Sequence, residues 1–494
     1  MSGKQYLTTP PATAGMPPGI PYIIGNEAAE RFSFYGMRAL LVTFMTRFLF
    51  SADGTLQAMS KEDAISSYSV FVGSAYFFPI LGAIVADVWW GKYRTILWLS
   101  IVYCLGHLAL ALNDPRLGFL GDMRTGLFIG LGLIALGSGG IKSCVSAHVG
   151  DQFGQKNAHL LEKVFGWFYL AINLGAFLSN LVTPWLMNSG PAWVAKNFPG
   201  LAPQDELGKA LLGPHLAFGL PGVLMLLATI VFWMGRHVFV HVPAQGPEKV
   251  FASLQGEGRQ ALLKLIPLFG FVAIFWSLYD QSGSSWVLQA ENLDRRLIPG
   301  GDPQGAWGWL AEPLHVESVQ AINPFLILVL VPFFSYVVYP VVGRVITLTP
   351  MRKIGAGFFL TFLSFVIIAW LQRSIDQGSQ PSVYWQFLAY LIITAGEVLV
   401  SVTCLEHAYT QAPHEVKSFV MALYLLSVSV GNFLTAGINK LIKTPAIGDH
   451  LQGWNYFLFF GGLMLAATVL FSYVAPLLKT KTYVQHGDES AAHH

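Results

Sequence analysis

Twelve long apolar stretches run through this chain of 494 residues, each long enough to cross a lipid bilayer as a helix. A hydrocarbon core of ~30 Å takes about 20 apolar residues of helix. On that measure the first six spans are predicted at 20–48, 64–90, 94–113, 123–148, 158–187 and 214–240. The second six fall at 260–288, 318–346, 351–372, 382–410, 415–441 and 453–478. Charged residues make up 11% of the chain, less than half of the ~25% usual in soluble domains, so most of it must lie in lipid. The pattern predicts an all-α membrane protein.

The link between the sixth and seventh spans, His241 to Arg259, is too short to hold a further helical hairpin. The expected organisation is therefore two six-helix halves, residues 1–245 with an N-terminal tail and residues 246–494 with a short C-terminal tail. Repeat-built transporters place their site where such halves meet. Orientation follows the lysine and arginine bias. With both termini cytoplasmic, roughly 15 Lys/Arg fall inside and roughly 11 outside, and the outer loops hold about 14 acidic residues, among them Glu291, Asp294, Asp302, Glu312 and Glu317. Thr9 to Pro21 reads as a loose Pro-rich tail and His486 to His494 as a disordered one.

Several classes are disfavoured. A net charge of +2 argues against nucleic acid as a partner. The first span carries Glu27, Glu30, Arg31 and Arg38 and lacks the uncharged core and cleavage site of a signal peptide. Cys104, Cys144 and Cys404 lie in apolar stretches and imply neither a disulfide framework nor a metal site. An embedded enzyme would need a motif such as HExxH or GxSxG, and the sequence has neither. Gly130-Leu-Gly132-Leu-Ile-Ala135 mimics a dinucleotide loop, but it sits in an apolar span without the strand that loop requires. No enzyme activity and no cofactor are expected beyond an ion gradient.

The ionisable residues inside the spans carry the most information. Glu27 and Arg31 are four apart, and Arg31, Tyr35 and Arg38 share a helical face. Lys142 lies in the fourth span, Asp280 in the seventh and Glu397 in the tenth. Insertion scales put one charge at the bilayer centre at about 2.5–3.5 kcal/mol, so four unpaired charges in one helix would cost on the order of 10 kcal/mol. These charges must pair and face a wet cavity. Buried pairs kept only for helix packing are the plainer alternative, but they are a poor route to stability.

The motifs around these charges resemble those of the proton-dependent oligopeptide transporters, a family of the major facilitator superfamily. Glu27-Ala-Ala-Glu30-Arg31-Phe32-Ser33-Phe34-Tyr35-Gly36 is similar to that family's ExxERFxYYG. So are Gly82–Thr95, GGIKSCVSAHVGDQF, Phe165–Phe177, Asn323-Pro324, Gly396-Glu397 and Gln411-Ala412-Pro413 in their places. The resemblance implies a major facilitator fold of twelve helices, working as a monomer in the bacterial inner membrane and importing di- and tripeptides with protons. It implies that Glu27, Glu30 and Arg31 couple protons. It places Arg31, Arg38 and Lys142 at the peptide carboxylate, Glu397 at the amino group, and Asn173 and Asn323 at the termini and backbone. Tyr35 and Tyr76 become pocket residues. Arg38–Asp280 becomes the outer gate and Lys142–Glu397 the inner pair.

Two departures stand out. Phe34 replaces the first tyrosine of the motif, and Ser69 stands where the animal members carry a histidine, so carboxylates must carry the proton. The physical reading agrees with the resemblance. A dipeptide is a zwitterion with charges roughly 5–7 Å apart, matched by cations on one half and an acid on the other. Protonation of the first-span pair would free Arg31 for the carboxylate and couple the two ligands. Transport of nitrate, a dicarboxylate or a drug is the runner-up, and nitrate would leave Glu397 without a role. A peptide sensor that does not transport is a further alternative.

Overall fold

The computed structural model describes residues 6–118, 121–248, 255–301, 305, 308–410, 417–448 and 450–478. Gln411-Ala412-Pro413, Asp302 and the tail at 486–494 lie outside them. The first half comprises α1 (Ile20–Arg47), α2 (Lys61–Trp90), α3 (Lys92–Ala111), α4 (Met123–Gly150), α5 (Ala158–Asn188), the short α6 (Gly190–Asn197) and α7 (Glu206–His237). The second comprises α8 (Gly258–Ala290), α9 (Val316–Val342), α10 (Pro350–Asp376), α11 (Tyr384–Ala408), α12 (Phe419–Ile442) and α13 (Trp454–Leu477).

Eleven of these helices are both long and apolar enough to cross a membrane. α1 qualifies on length alone, with 28 residues, because Glu27, Glu30, Arg31, Arg38 and Arg47 lower its apolarity. Together they make the twelve long helices expected. The tail expected to be loose is tied down: the Gly15 carbonyl accepts from Asn157 Nδ2 at 3.2 Å, and that of Leu7 from the His241 N–H at 2.7 Å. Two further local features depart from the sequence reading. α6 was not anticipated, and α7 starts at Glu206 rather than 214 because Asp205 caps it, accepting from the Gly208 N–H at 2.9 Å.

Side-chain caps mark some of the other helix starts in the same way. Ser60 Oγ accepts from the Asp63 N–H at the start of α2, and Asp122 accepts from the Thr125 N–H at the start of α4. Gly91, at φ 73°, turns the chain sharply from α2 into α3, a conformation that disfavours a β-carbon. Three helices contain a widened turn, at Ala86–Trp90, Phe334–Val338 and Val398–Val402, a distortion frequent at functional sites.

Buried apolar side chains gather in one cluster spanning Ile20 to Phe239, with Leu288, and in others spanning Leu265 to Phe471. Each half thus has its own core. The halves meet chiefly where α2 lies along α12 and α5 along α9. Small residues let helices within a half approach closely, as usual in lipid. A β-carbon on Gly82 of α2 would lie 2.4 Å from Gly140 Cα on α4. Gly82→Val should therefore force α2 and α4 apart at a cost of about 1–3 kcal/mol. The check is the thermal unfolding midpoint of the solubilised protein, and an unchanged midpoint would refute this close contact.

Candidate functional site

The charged segment of α1 is satisfied only in part. Arg31 Nε donates to Glu27 Oε1 at 2.6 Å and lies 3.3 Å from Glu30 Oε2. Both glutamates are fully buried. Glu27 Oε2 and both Glu30 oxygens accept no hydrogen bond among the described residues. One guanidinium is therefore shared between two carboxylates.

Lys142 approaches the same region from α4. Its Nζ sits 3.4 Å from the centroid of the Phe34 ring and 4.6 Å from that of Tyr76, with no hydrogen-bond acceptor among the described residues. Phe34, the departure from the motif, is thus a buried platform under the ammonium.

Beside this layer lies a cavity of about 300 Å³ between the halves. The first half contributes Tyr35, Arg38, Tyr76, Tyr169, Asn173 and Asn180 to its wall; the second contributes Trp276, Tyr279, Asp280, Asn323, Glu397 and Tyr424. Of the residues expected at the site, Tyr35, Arg38, Tyr76, Asn173, Asp280, Asn323 and Glu397 line it. Glu27, Glu30, Arg31 and Lys142 stand behind the wall.

Two polar constellations face this cavity. Arg38 Nη2 meets Asp280 Oδ1 at 2.5 Å, Arg38 Nε donates to Tyr68 Oη at 2.5 Å, and Asn432 Nδ2 donates to Asp280 Oδ2 at 2.6 Å. Asp280 sits where α8 tightens from α-helix into a 3₁₀ turn, Asp280–Gly283. The second constellation centres on Glu397 Oε2, which accepts from Tyr279 Oη at 2.6 Å and from Asn323 Nδ2 at 3.1 Å. Asn323 Nδ2 also lies 3.0 Å from Thr394 Oγ1. Neutral donors hold this carboxylate, and no cation pairs with it among the described residues.

Several expected site residues have partners in this structure that the sequence did not indicate. Lys142 and Glu397 do not form an ion pair, since the ammonium rests on aromatic rings and the carboxylate is held by Tyr279 and Asn323. Asp280 does not depend on Arg38 alone, because Asn432 satisfies its second oxygen. Asn173 lines the cavity, yet its amide donates to the Tyr169 carbonyl of its own helix at 3.0 Å. Sequence reasoning missed Tyr279 and Asn432, although Tyr279 adjoins Asp280 and Asn432 is an amide within an apolar span.

The two halves close on each other at the Arg47 end of the molecule. Arg47 pairs with Glu291 at 2.8 Å and Lys443 with Asp63 at 2.6 Å. Asn188 donates to Glu317 at 3.3 Å, Ser189 Oγ lies 3.2 Å from His315 Nε2, and Gln320 donates to the Ala39 carbonyl at 3.2 Å. Burial pushes the pKa of His315, just outside α9, below its ordinary value. All of these contacts, like Arg38–Asp280, lie on the Arg47 side of Glu397. Removing one charge from the buried pair, as in Asp280→Asn, should weaken this closure by about 3–5 kcal/mol. Spin labels at the exposed positions Leu201 and Ser379 should then report a longer distance across that end, whereas an unchanged distance would mean that the peripheral contacts suffice.

A family model described as POT family matches residues 93–254 and 248–454. The chain is 33% identical over 424 residues to human solute carrier family 15 member 2, covering 78% of this chain and 53% of that one. It thus spans about half the length of the curated relatives it matches. Among solved structures, the in meso crystal structure of the POT family transporter PepTSo is 34% identical with a TM-score of 0.78, covering 94% of this chain and 99% of that one. An auto inhibited POT family peptide transporter is 31% identical with a TM-score of 0.79, covering 95% and 99%.

Proposed function

The chain belongs to the POT family, and from that premise we propose that it is a proton-coupled symporter importing di- and tripeptides by alternating access. One observation carries the reading. Each half presents a charge without an opposite charge hydrogen-bonded to it: Lys142 in the first, held on two rings, and Glu397 in the second, held by neutral donors. A zwitterion in the cavity meets Glu397 with its ammonium and offers its carboxylate to Lys142 once that ammonium leaves the Phe34 and Tyr76 rings, and the cavity volume of about 300 Å³ suits a short peptide. A solute with no amine would leave Glu397 unserved, which disfavours nitrate and dicarboxylates. The names of relatives and neighbours, including a peptide transporter, point the same way.

In this reading Glu397 takes the amino group, with Asn323 and Asn173 beside it. Arg38, Arg31 and Lys142 form the cationic side for the carboxylate, and Tyr35 and Tyr76 line the pocket. The first-span cluster carries the proton. Three of its four carboxylate oxygens have no donor among the described residues, and a proton on Glu30 or Glu27 fills one of those vacancies while loosening the hold on Arg31. Arg38–Asp280 is the outer gate, so the Arg47 end faces outward and both termini are cytoplasmic, and we assign the chain to the bacterial inner membrane. The halves are residues 1–245 and 246–494. A monomer suffices, because one chain walls the whole cavity.

Two experiments test these assignments. Glu397→Ala should lower uptake of unmodified dipeptides about tenfold to a hundredfold, the value of one charge-assisted hydrogen bond. N-acetylated dipeptides should suffer far less, and equal loss for both would assign Glu397 to the fold or the gate. Glu30→Gln should keep counterflow, which needs no net proton movement, and lose accumulation driven by a proton gradient. Accumulation with an unchanged pH profile would move the coupling role to Asp280.

A further inference from the structure

One face of α5 is left bare by the rest of the chain. Trp167, Leu170, Leu174, Leu178, Leu181 and Trp185 recur at helical spacing, and each is 39–50% exposed. The other side of the helix lines the central cavity with Tyr169, Asn173 and Asn180. At 1.5 Å per residue the two tryptophans lie about 27 Å apart along the axis, close to the ~30 Å of a hydrocarbon core. Leucines between two tryptophans make a lipid-facing stripe with an indole at each interface. Lys163, its Nζ 5.1 Å from the centroid of the Trp167 ring, carries its charge one turn beyond the first of them.

α6 extends this stripe past the end of the span. Its Gly190 and Val194 are buried against the first half, and a β-carbon on Gly190 would lie 3.3 Å from Leu216 of α7. Trp193 turns instead to Trp185, ring centroids 6.1 Å apart, and Phe198 packs on Trp193 at 5.6 Å. About half of each of these two rings stays bare, and Leu201, in the 3₁₀ turn that follows, is 75% exposed. Lys196 is an exposed cation in the last turn of α6. The helix has eight residues and no side-chain cap, and one so short is marginal in water. It needs a surface to lie on.

We propose that α6 and the turn to Leu201 form an interfacial foot, seated in the boundary between headgroups and acyl chains of the leaflet at the Arg47 end. Phospholipid is the partner that covers Trp193, Phe198 and Leu201. Continuity decides for lipid, because Trp185 belongs both to the stripe of α5 and to the aromatic cluster of α6. A short helix with aromatic and aliphatic side chains on one side and a lysine on another binds an interface in this way. The foot begins at Ser189, which meets His315 of the second half. It therefore fixes the depth of the first half where the halves part, whatever the transported solute is.

The test uses the full chain in phospholipid nanodiscs, with Cys104, Cys144 and Cys404 replaced by alanine and a single spin label at Leu201→Cys. Collisions with oxygen, which partitions into acyl chains, are compared with collisions with a water-soluble nickel chelate. Oxygen should dominate at Leu201, and the chelate should dominate at a control label, Ser379→Cys, in an exposed loop of the second half. Replacing Trp193 and Phe198 together by alanine should move the Leu201 label toward the control. A Leu201 label that matches the control from the outset would overturn the proposal by placing the segment in water. An oxygen-rich label that ignores the double replacement would overturn it too. So would a label shielded from both reagents, which would put protein rather than lipid over the patch.

Discussion

Arg38 and Asp280 each carry a charge that lipid penalises by about 2.5–3.5 kcal/mol, and each finds its opposite charge on the other half of the molecule. Much else is arranged around this pair. Tyr68 and Asn432 take up hydrogen-bonding capacity that the pair leaves over, one from each half. A buried pair with all its lone pairs met is tolerable, whereas one missing a partner is strongly destabilising. The halves therefore cannot separate at this level unless something else, water or a solute, takes over one of the two charges. Closure is an exchange of partners rather than a simple attraction.

Magnitudes indicate which contacts govern that exchange. Arg47–Glu291 and Lys443–Asp63 have side chains 18–48% exposed, and pairs of that kind contribute about 0–1 kcal/mol each. Moving a two-state equilibrium from one extreme to the other takes about 5.5 kcal/mol. The rim contacts cannot supply that, so the buried pair dominates. Its neighbour in sequence extends its influence. Tyr279 precedes Asp280 and donates to Glu397, so the tight turn that holds Asp280 toward Arg38 also presents the hydroxyl that holds Glu397. A displacement of this turn changes both poles of the cavity together, which is the minimum a coupled device requires.

The sequence disclosed the helices and the positions of the intramembrane charges because both are local. A run of 20 apolar residues has few other fates, and Glu27, Arg38, Lys142, Asp280 and Glu397 are conspicuous where charge is expensive. What it did not disclose was who partners whom. Lys142 and Glu397 have opposite signs on opposite halves, and pairing them was the natural guess. The outcome turned on Phe34, Tyr76, Tyr279 and Asn323, residues that periodicity treats as ordinary lining. Asn432 carries no charge and sits in SVSVGNFLTAG, so nothing local marks it as the second ligand of Asp280. The early start of α7 follows from capping by Asp205, a cue legible in the sequence but outweighed by the hydropathy of the span, whereas α6 has no side-chain cap to announce it.

The setting of Lys142 bears on how the proposed transport cycle is balanced. A charge-assisted hydrogen bond contributes about 1.5–3 kcal/mol, and an ammonium on a ring face about 0.5–2 kcal/mol depending on desolvation. Phe34 and Tyr76 thus hold the ammonium in place less firmly than a carboxylate would. If Lys142 were bonded directly to Glu397, a zwitterionic peptide would have to break an ion pair before making its own contacts, and much of its binding energy would go to that rupture. Resting on rings, the ammonium can move toward an arriving carboxylate at small cost. Glu397 is treated likewise, its charge stabilised by Tyr279 and Asn323 but not cancelled. The sole full ion pair between the halves at the described cavity wall is then Arg38–Asp280. In the proposed cycle that separates the roles: this pair resists opening, while Lys142 and Glu397, neither hydrogen-bonded to an opposite charge, stay available to the substrate.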